Sequence, residues 1–336
     1  MKPFPFPLIN THTHAAMVAF RGKAEDLPLQ TWLEEHIWPA ERTQVNRSFI
    51  YEQSKRAIEE MKKNGIFAFC NMYFFEDEVA RAAQELKMHA VIGEGILDFP
   101  TPNAKTPEES LAITEELIVR YKDDEYVSVC VAPHAIYTVC EKNLVRSKEL
   151  AKKYDAPLHI HLAETKFEFD DCKKKHGLSP VEYLDRLGLL DKKAILAHCV
   201  WVTDKDIDIL ADTGANVSHC PLSNLKLGSG IAPVTKMIEK GVNVTLGTDG
   251  AASSNRLDIW EAGKVAALLQ KGITNDPTAL PAKEVVKMMT VNGMKALGIS
   301  KINGKTIADI EKELEKNESW HHLYEMNVEQ LTFLDA

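Results

Sequence analysis

The 336-residue sequence predicts an α/β fold, a closed (β/α)₈ TIM-type barrel, and three observations lead to it. Short apolar runs alternate with longer helical patterns along the whole chain, as a parallel sheet requires. Eight such runs occur, which suits a closed barrel better than an open sheet. Six of them end in His or Asp, at the strand ends where a barrel of this kind carries its chemistry.

Taken in order, the predicted strands span residues 8–10, 66–71, 90–96, 127–132, 158–162, 195–198, 215–219 and 242–247. Helical patterns lie between them at 51–63, 79–87, 107–120, 144–154, 180–187, 204–212 and 234–240. In the first, Ala57, Ile58 and Met61 keep a helical spacing on one face. Gly65, Gly214 and Gly241 each stand just before a strand, where a left-handed cap closes the preceding helix. No Gly-x-Gly-x-x-Gly follows the first strand, so a dinucleotide-binding sheet has no support. Residues 258–271 and 283–297 read as two further helices. Residues 1–300 are therefore assigned to the catalytic barrel, and 301–336 to a C-terminal helical tail packing on it.

Composition narrows the partners. The net charge of −9 gives the chain no electrostatic reason to bind nucleic acid or an anionic membrane. The one dense basic run, Lys173-Lys174-Lys175, reads as a solvated helix face. No stretch reaches the ~18 apolar residues of a membrane span. The proline-broken N-terminus is too short for a signal-peptide core. Six scattered cysteines without a Cys-x-x-Cys pair suit reduced thiols in the cytoplasm. A small-molecule substrate is the expected partner, with homo-oligomerisation left open.

The polar strand ends are specific. Strand 1 ends in Asn10-Thr11-His12-Thr13-His14, strand 4 in Ala132-Pro133-His134, and strand 5 carries His159-Ile160-His161-Leu162-Ala163-Glu164. Strand 6 ends in Ala197-His198-Cys199, strand 7 in Ser218-His219-Cys220, and strand 8 in Leu246-Gly247-Thr248-Asp249-Gly250. Residues two apart in a strand share a face, so His12 with His14, and His159 with His161, can point together, His161 nearer the mouth. One His-x-His pair is weak evidence among 12 histidines, and His134 alone suits a core position. Six such strand ends together are hard to explain by packing, because buried polar groups are costly unless paired. Imidazole and carboxylate together suit a divalent ion, zinc first, with iron or another divalent ion as alternatives.

With these residues in place, the sequence resembles the amidohydrolase superfamily, and within it the deaminases of S-adenosylhomocysteine, methylthioadenosine and adenosine. The resemblance also draws on Pro221-Leu222-Ser223-Asn224-Leu225-Lys226-Leu227 and Thr248-Asp249-Gly250-Ala251-Ala252, and runs from about residue 8 to 297. It implies that His12, His14, His161 and Asp249 hold one divalent metal ion, that Glu164 shuttles protons, and that His198 lies beside the attacking water. It further implies that His134 and Glu41, in Trp38-Pro39-Ala40-Glu41, face the substrate, and that Trp32 lies beside the purine or sugar. The chemistry agrees: a bound Zn²⁺ lowers the pKa of its water to about 7. Asp249 can take a proton from that water, Glu164 can protonate a ring nitrogen, and His198 can stabilise charge on the attacking oxygen. The expected reaction is hydrolytic removal of an amino group from an adenine-type nucleoside, releasing ammonia. A guanine, cytosine or triazine hydrolase keeps the same site, and a metal-binding barrel with little activity is the reading from another class.

Three features depart from the resemblance. Relatives that accept a homocysteine tail use arginines near the end of strand 3, where this chain has Glu94 and, beyond it, only Lys105. An acid there would repel a carboxylate and favour methylthioadenosine or adenosine. His134 is followed by Ala135-Ile136-Tyr137, where relatives place a proline before the tyrosine. Most relatives also carry a small β-sandwich before strand 1 and after the barrel; its N-terminal half is expected to be absent, lost naturally or by engineering. At the other end, Thr306 and Asp309 form a helix-cap pattern, and Ile307, Ile310 and Leu314 share one face of a helix expected over 305–317. That helix is expected to lie on the barrel, and residues 331–334 to dock beside Phe4 and Phe6.

Overall fold

The computed structural model describes residues 3–4, 6–302, 304–316, 322–325 and 332–333. Its centre is a barrel of parallel strands: β1 (Leu8–Thr13), β2 (Ile66–Tyr73), β3 (His89–Ile96), β4 (Val127–Val129, resuming at Ala132–Pro133), β5 (Leu158–Leu162), β6 (Ala194–His198), β7 (Asn216–His219) and β8 (Asn243–Leu246). β1 to β4 pair in sequence, and so do β5 to β8. Single bridges from Val131 to Leu158 and from Ala135 to His161 join the two halves. The remaining seam, between β8 and β1, closes where the Asp249 amide donates to the His12 carbonyl at 3.0 Å. Beside it the Thr11 hydroxyl lies 2.6 Å from those of Ser218 and Thr245.

All eight predicted strands are present; seven lie within two residues of their expected limits, and the first runs three residues further, to Thr13. Strands covered on both faces read as continuous apolar runs, and β5 to β8 are buried almost throughout. The helix Pro107–Arg120 has its predicted limits, and Thr106 caps it by accepting from the Glu109 amide. The expected helix over 283–297 is instead two, Ala282–Met289 and Val291–Leu297. Thr290 breaks it: its backbone leaves the helical region (φ −127°, ψ −96°), and its hydroxyl donates to the Val286 carbonyl at 2.6 Å. The second helix then packs on β1 through Gly293, where a Cβ would stand 2.6 Å from that of Ile9.

Several helical segments had no clear sequence signal: Ala15–Phe20, the stretch from Leu29 to Gln44 with a π-helical turn at Trp32–Ile37, Lys166–His176, Pro221–Lys226 and Ala251–Ser254. Each follows a strand end with its polar cluster, so no apolar period stands out. Lys173, Lys174 and Lys175 are exposed on Lys166–His176. The six cysteines are free thiols, and all but Cys140 are buried. No described helix is long and apolar enough to cross a membrane.

In the tail, a two-residue hairpin (Lys301–Ile302 with Lys305–Thr306) leads into the helix Ile307–Lys316. Thr306 and Asp309 form the reciprocal cap, and Ile310 and Leu314 are buried. Pro3–Phe4 pairs in parallel with Thr332–Phe333. Residues 331 and 334, which the docking expectation includes, lie outside the described residues.

Candidate metal centre and substrate cavity

The strand ends converge on one cavity, whose lining includes His14, His134, His161, Glu164, His198 and Asp249. Glu41 and Trp32 line it as well. His12 lies beneath it, fully buried. A register irregularity between Asn10 and Thr13 carries the chain to His14, which stands just beyond β1. Such bulges re-aim side chains beside functional sites. Gly247 permits the approach from β8, since a Cβ there would stand 2.8 Å from that of His12.

Four nitrogen and oxygen atoms crowd one point. Asp249 Oδ1 lies 3.4 Å from His12 Nε2 and 3.3 Å from His14 Nε2. His14 Nε2 lies 3.3 Å from His161 Nε2. Elsewhere each ring is tied: His14 Nδ1 bonds the Met72 carbonyl at 2.5 Å, and His161 Nδ1 the His134 carbonyl at 2.8 Å. A carbonyl only accepts, so both Nδ1 atoms carry the proton, and in the neutral rings both Nε2 atoms present lone pairs. His12 Nε2 is buried and makes no hydrogen bond. Lone pairs facing one another and a carboxylate, with an orphaned buried nitrogen among them, are what a cation would satisfy. Grouped by reach, His12, His14 and Asp249 form one potential ligand set, and His12, His161 and His198 another.

The second oxygen of Asp249 accepts from the hydroxyls of Ser223 at 2.6 Å and Ser253 at 2.9 Å, and Oδ1 accepts from the Gly250 amide at 2.6 Å. Burial works to raise its pKa, but the His12 and His14 contacts outweigh it and hold the carboxyl well below the usual range. Burial lowers His12 to about 4 and His134 to about 3, and keeps His161 well below its usual value. For His14 burial is outweighed by Asp249, and the net shift is upward.

Glu164 is buried, with Oε2 3.7 Å from His198 Nε2 and Oε1 accepting from Ser229 Oγ at 3.4 Å. Burial raises its pKa against the pull of His198. His198 is oriented by Asn224, whose Oδ1 lies 2.8 Å from Nδ1. Farther out, Glu41 accepts from the Tyr73 hydroxyl at 2.6 Å, and burial lifts it to about 7 despite that bond. The Trp32 indole donates to the Lys23 carbonyl at 3.4 Å.

Sequence reasoning missed the residues that hold these groups: Ser223, Asn224, Ser229, Ser253 and Tyr73. All but Tyr73 stand in the segments that follow β7 and β8, and Ser223 and Asn224 belong to the stretch that carries the resemblance. The argument from Glu94 needs correction. Gly95, not Glu94, lines the cavity. Alternation turns Glu94 away, where it accepts from the Glu76 amide at 3.2 Å and from Asn103 Nδ2 at 2.9 Å. It therefore cannot repel a substrate.

Comparison with known proteins gives one answer from three directions. A protein named 5-methylthioadenosine/S-adenosylhomocysteine deaminase from Thermodesulfovibrio yellowstonii is 52% identical over 293 residues, covering 87% of this chain and 67% of that protein. One named 5'-deoxyadenosine deaminase from Methanothermobacter thermautotrophicus is 46% identical, over 87% of this chain and 68% of the other. A crystal structure of an adenosine deaminase from Xanthomonas campestris with bound zinc superposes with a TM-score of 0.87 at 39% identity, covering 90% of this chain and 69% of that one. The chain thus spans about two thirds of the length of each. The profile described as the amidohydrolase family matches residues 8–310, every barrel strand included. The convergent strand ends, the barrel that carries them and these relatives agree, and the chain belongs to the amidohydrolase family.

Proposed function

We propose that this protein is a metal-dependent hydrolase that deaminates adenine nucleosides whose 5' substituent carries no charge. The observation behind the metal is the cluster of imidazole nitrogens around Asp249 Oδ1, with the buried His12 Nε2 left without a hydrogen bond. His12, His14, His161 and Asp249 would hold one divalent ion, and three imidazoles with a carboxylate suit Zn²⁺. When bound, such an ion supplies Lewis acidity that makes water a nucleophile near neutral pH.

The chain's own groups supply the rest. Asp249 accepts the proton released by the attacking water. Glu164, whose burial favours the protonated carboxyl, delivers a proton to a ring nitrogen, which makes the adjacent amino-bearing carbon electrophilic. The proton taken by Asp249 then passes to the departing amino group, which leaves as ammonia, and the remaining proton of the attacking oxygen returns to Glu164 as the carbonyl forms. His198 Nε2 faces the same point, where it hydrogen-bonds the attacking oxygen and, once protonated, offsets the charge on it. Glu41, His134 and Trp32 border the space left for the nucleoside.

The 5' preference rests on the outer wall. Trp32, Leu33, Ile37, Trp38, Phe74 and Leu97 contribute its apolar lining. No Lys or Arg is among the lining residues. The Trp38 and Phe99 rings meet at 5.3 Å between centroids and narrow the rim. A carboxylate against this wall would lose water without gaining a partner. Steady-state ammonia release from 5'-deoxyadenosine, methylthioadenosine, adenosine and S-adenosylhomocysteine tests both parts. The first three should turn over, and the last should show a kcat/KM at least about thirtyfold lower, equivalent to ~2 kcal/mol. Equal use of S-adenosylhomocysteine would remove the 5' preference alone. No ammonia from any of the four would remove the deaminase.

A further inference from the structure

His159 sits one turn of the strand deeper than His161 and takes no part in the chemistry above. It is fully buried, and its Nε2 lies 2.7 Å from His12 Nδ1. Its other nitrogen, Nδ1, lies 3.2 Å from Cys70 Sγ. The two imidazole planes are nearly parallel, 18° apart, with centroids 5.0 Å apart. The three ligand histidines are thus oriented differently. His14 and His161 lean on backbone carbonyls, which no substitution can remove. His12 leans on a side chain.

The direction of the hydrogen bonds follows from the free atom. His12 has Nε2 alone available to an ion, so in the ligating neutral ring the proton sits on Nδ1. That proton is donated to His159 Nε2, which must therefore be unprotonated. His159 then carries its own proton on Nδ1 and donates it to Cys70 Sγ. The chain of donors runs one way, from the ligand inward, and each ring has a single tautomer that satisfies it. Groups that bond the far nitrogen of a ligating histidine commonly set its tautomer and orientation, and losing one typically costs 10–100-fold in metal affinity.

We propose that His159 is the positioning residue of the metal centre: it accepts the His12 Nδ1 proton and so aims His12 Nε2 at the ion. The inference rests on the proposed metal centre, and the two can fail separately. The native protein and the variants His159→Leu and His159→Gln are loaded with Zn²⁺, and metal transfer to a chromophoric chelator is followed. The amide oxygen of Gln can accept the His12 proton, whereas Leu fills the space and accepts nothing. His159→Leu should bind Zn²⁺ 10–100-fold more weakly, while His159→Gln stays within about threefold of native. Co²⁺-loaded samples should show a changed visible absorption band for Leu and a native-like one for Gln. Melting temperatures of the chelated proteins report packing separately. If His159→Leu does not fold, His159→Asn, too short to reach His12, replaces it with the same expected loss. Affinity in the Leu or Asn variant equal to native would overturn the assignment, as would equal loss in Leu and Gln. A native protein that binds no divalent ion would instead defeat the metal centre itself.

Discussion

At the scale of single residues, the site is built from side chains of ordinary type held on strained backbone. Ala163, His198, Cys199 and Asp249 all have positive φ, 51°, 77°, 46° and 60°, at or beyond the ends of β5, β6 and β8. Non-glycine residues in that region cost on the order of 1 kcal/mol each, and such strain gathers at functional sites. These positions hold His198 and Asp249 against the cavity. Glu164 offers the sharpest test of roles. Glu164→Gln keeps the shape and the Ser229 contact but cannot give up a proton. It should retain close to one divalent ion per chain by elemental analysis, while kcat falls by a factor of about 10²–10⁴. His12→Ala or Asp249→Ala should lose most of the ion. Near-normal turnover in Glu164→Gln would take the proton shuttle away from this residue. His12, His14, His161, Glu164, His198 and Asp249 were legible because residue type and strand end coincide. The roles of Ser223, Asn224 and Ser229 were not, because serine and asparagine beyond a strand end look the same whether they orient a polar group or merely turn or cap the chain.

At the scale of elements, period-2 alternation decides what a strand shows to the cavity, and Glu94 is the instructive case. Its neighbour Gly95 faces the substrate space, so Glu94 meets the start of the helix Glu76–Glu85. There it approaches Glu76, and both carboxyls are fully buried. Burial raises Glu94 to about 7, and burial together with Glu94 raises Glu76 well above its usual value. Both groups hold protons more tightly folded than unfolded. The contribution is full below the unfolded value, about 4.5, and is lost as pH rises through 7. Glu94→Gln should therefore flatten the fall in stability between pH 5 and pH 8 by about 3 kcal/mol relative to native, as read by urea unfolding at the two pH values. Parallel curves for the two proteins would mean that Glu94 is ionised in the fold. The π-helical turn Trp32–Ile37 marks the opposite limit of legibility. It puts Trp32, Leu33 and Ile37 on the cavity wall, a spacing that neither a 3.6-residue nor a 2-residue period reveals.

At the scale of the whole molecule, strand count and order were readable because eight buried parallel strands need eight apolar runs. The way the tail covers the barrel was less so, since it depends on contacts far apart in sequence. Ile310, Leu314 and Leu323 are buried, and Lys283 and Lys295 pair with Glu315 and Glu311 across the same junction. Exposed pairs add little, but each buried aliphatic side chain is worth about 1.5–3 kcal/mol. Truncation after Ser300 should lower the melting temperature by on the order of 5 °C and promote aggregation, with surviving monomer keeping its ion. An unchanged melting temperature and a monodisperse product would show that the tail stabilises nothing.

The bond from the Asp249 amide to the His12 carbonyl puts the proposed metal ligands on the seam between the last strand and the first. During translation the first two ligands leave the ribosome early and the fourth only after more than two hundred further residues. At ordinary elongation rates of about 5–20 residues per second, roughly 10–50 s separate them. A nascent chain can therefore offer His12 and His14 to passing ions but cannot enclose one. With His12, His14, His161 and Asp249 as the proposed ligands, metal capture would be the closing event of biosynthesis.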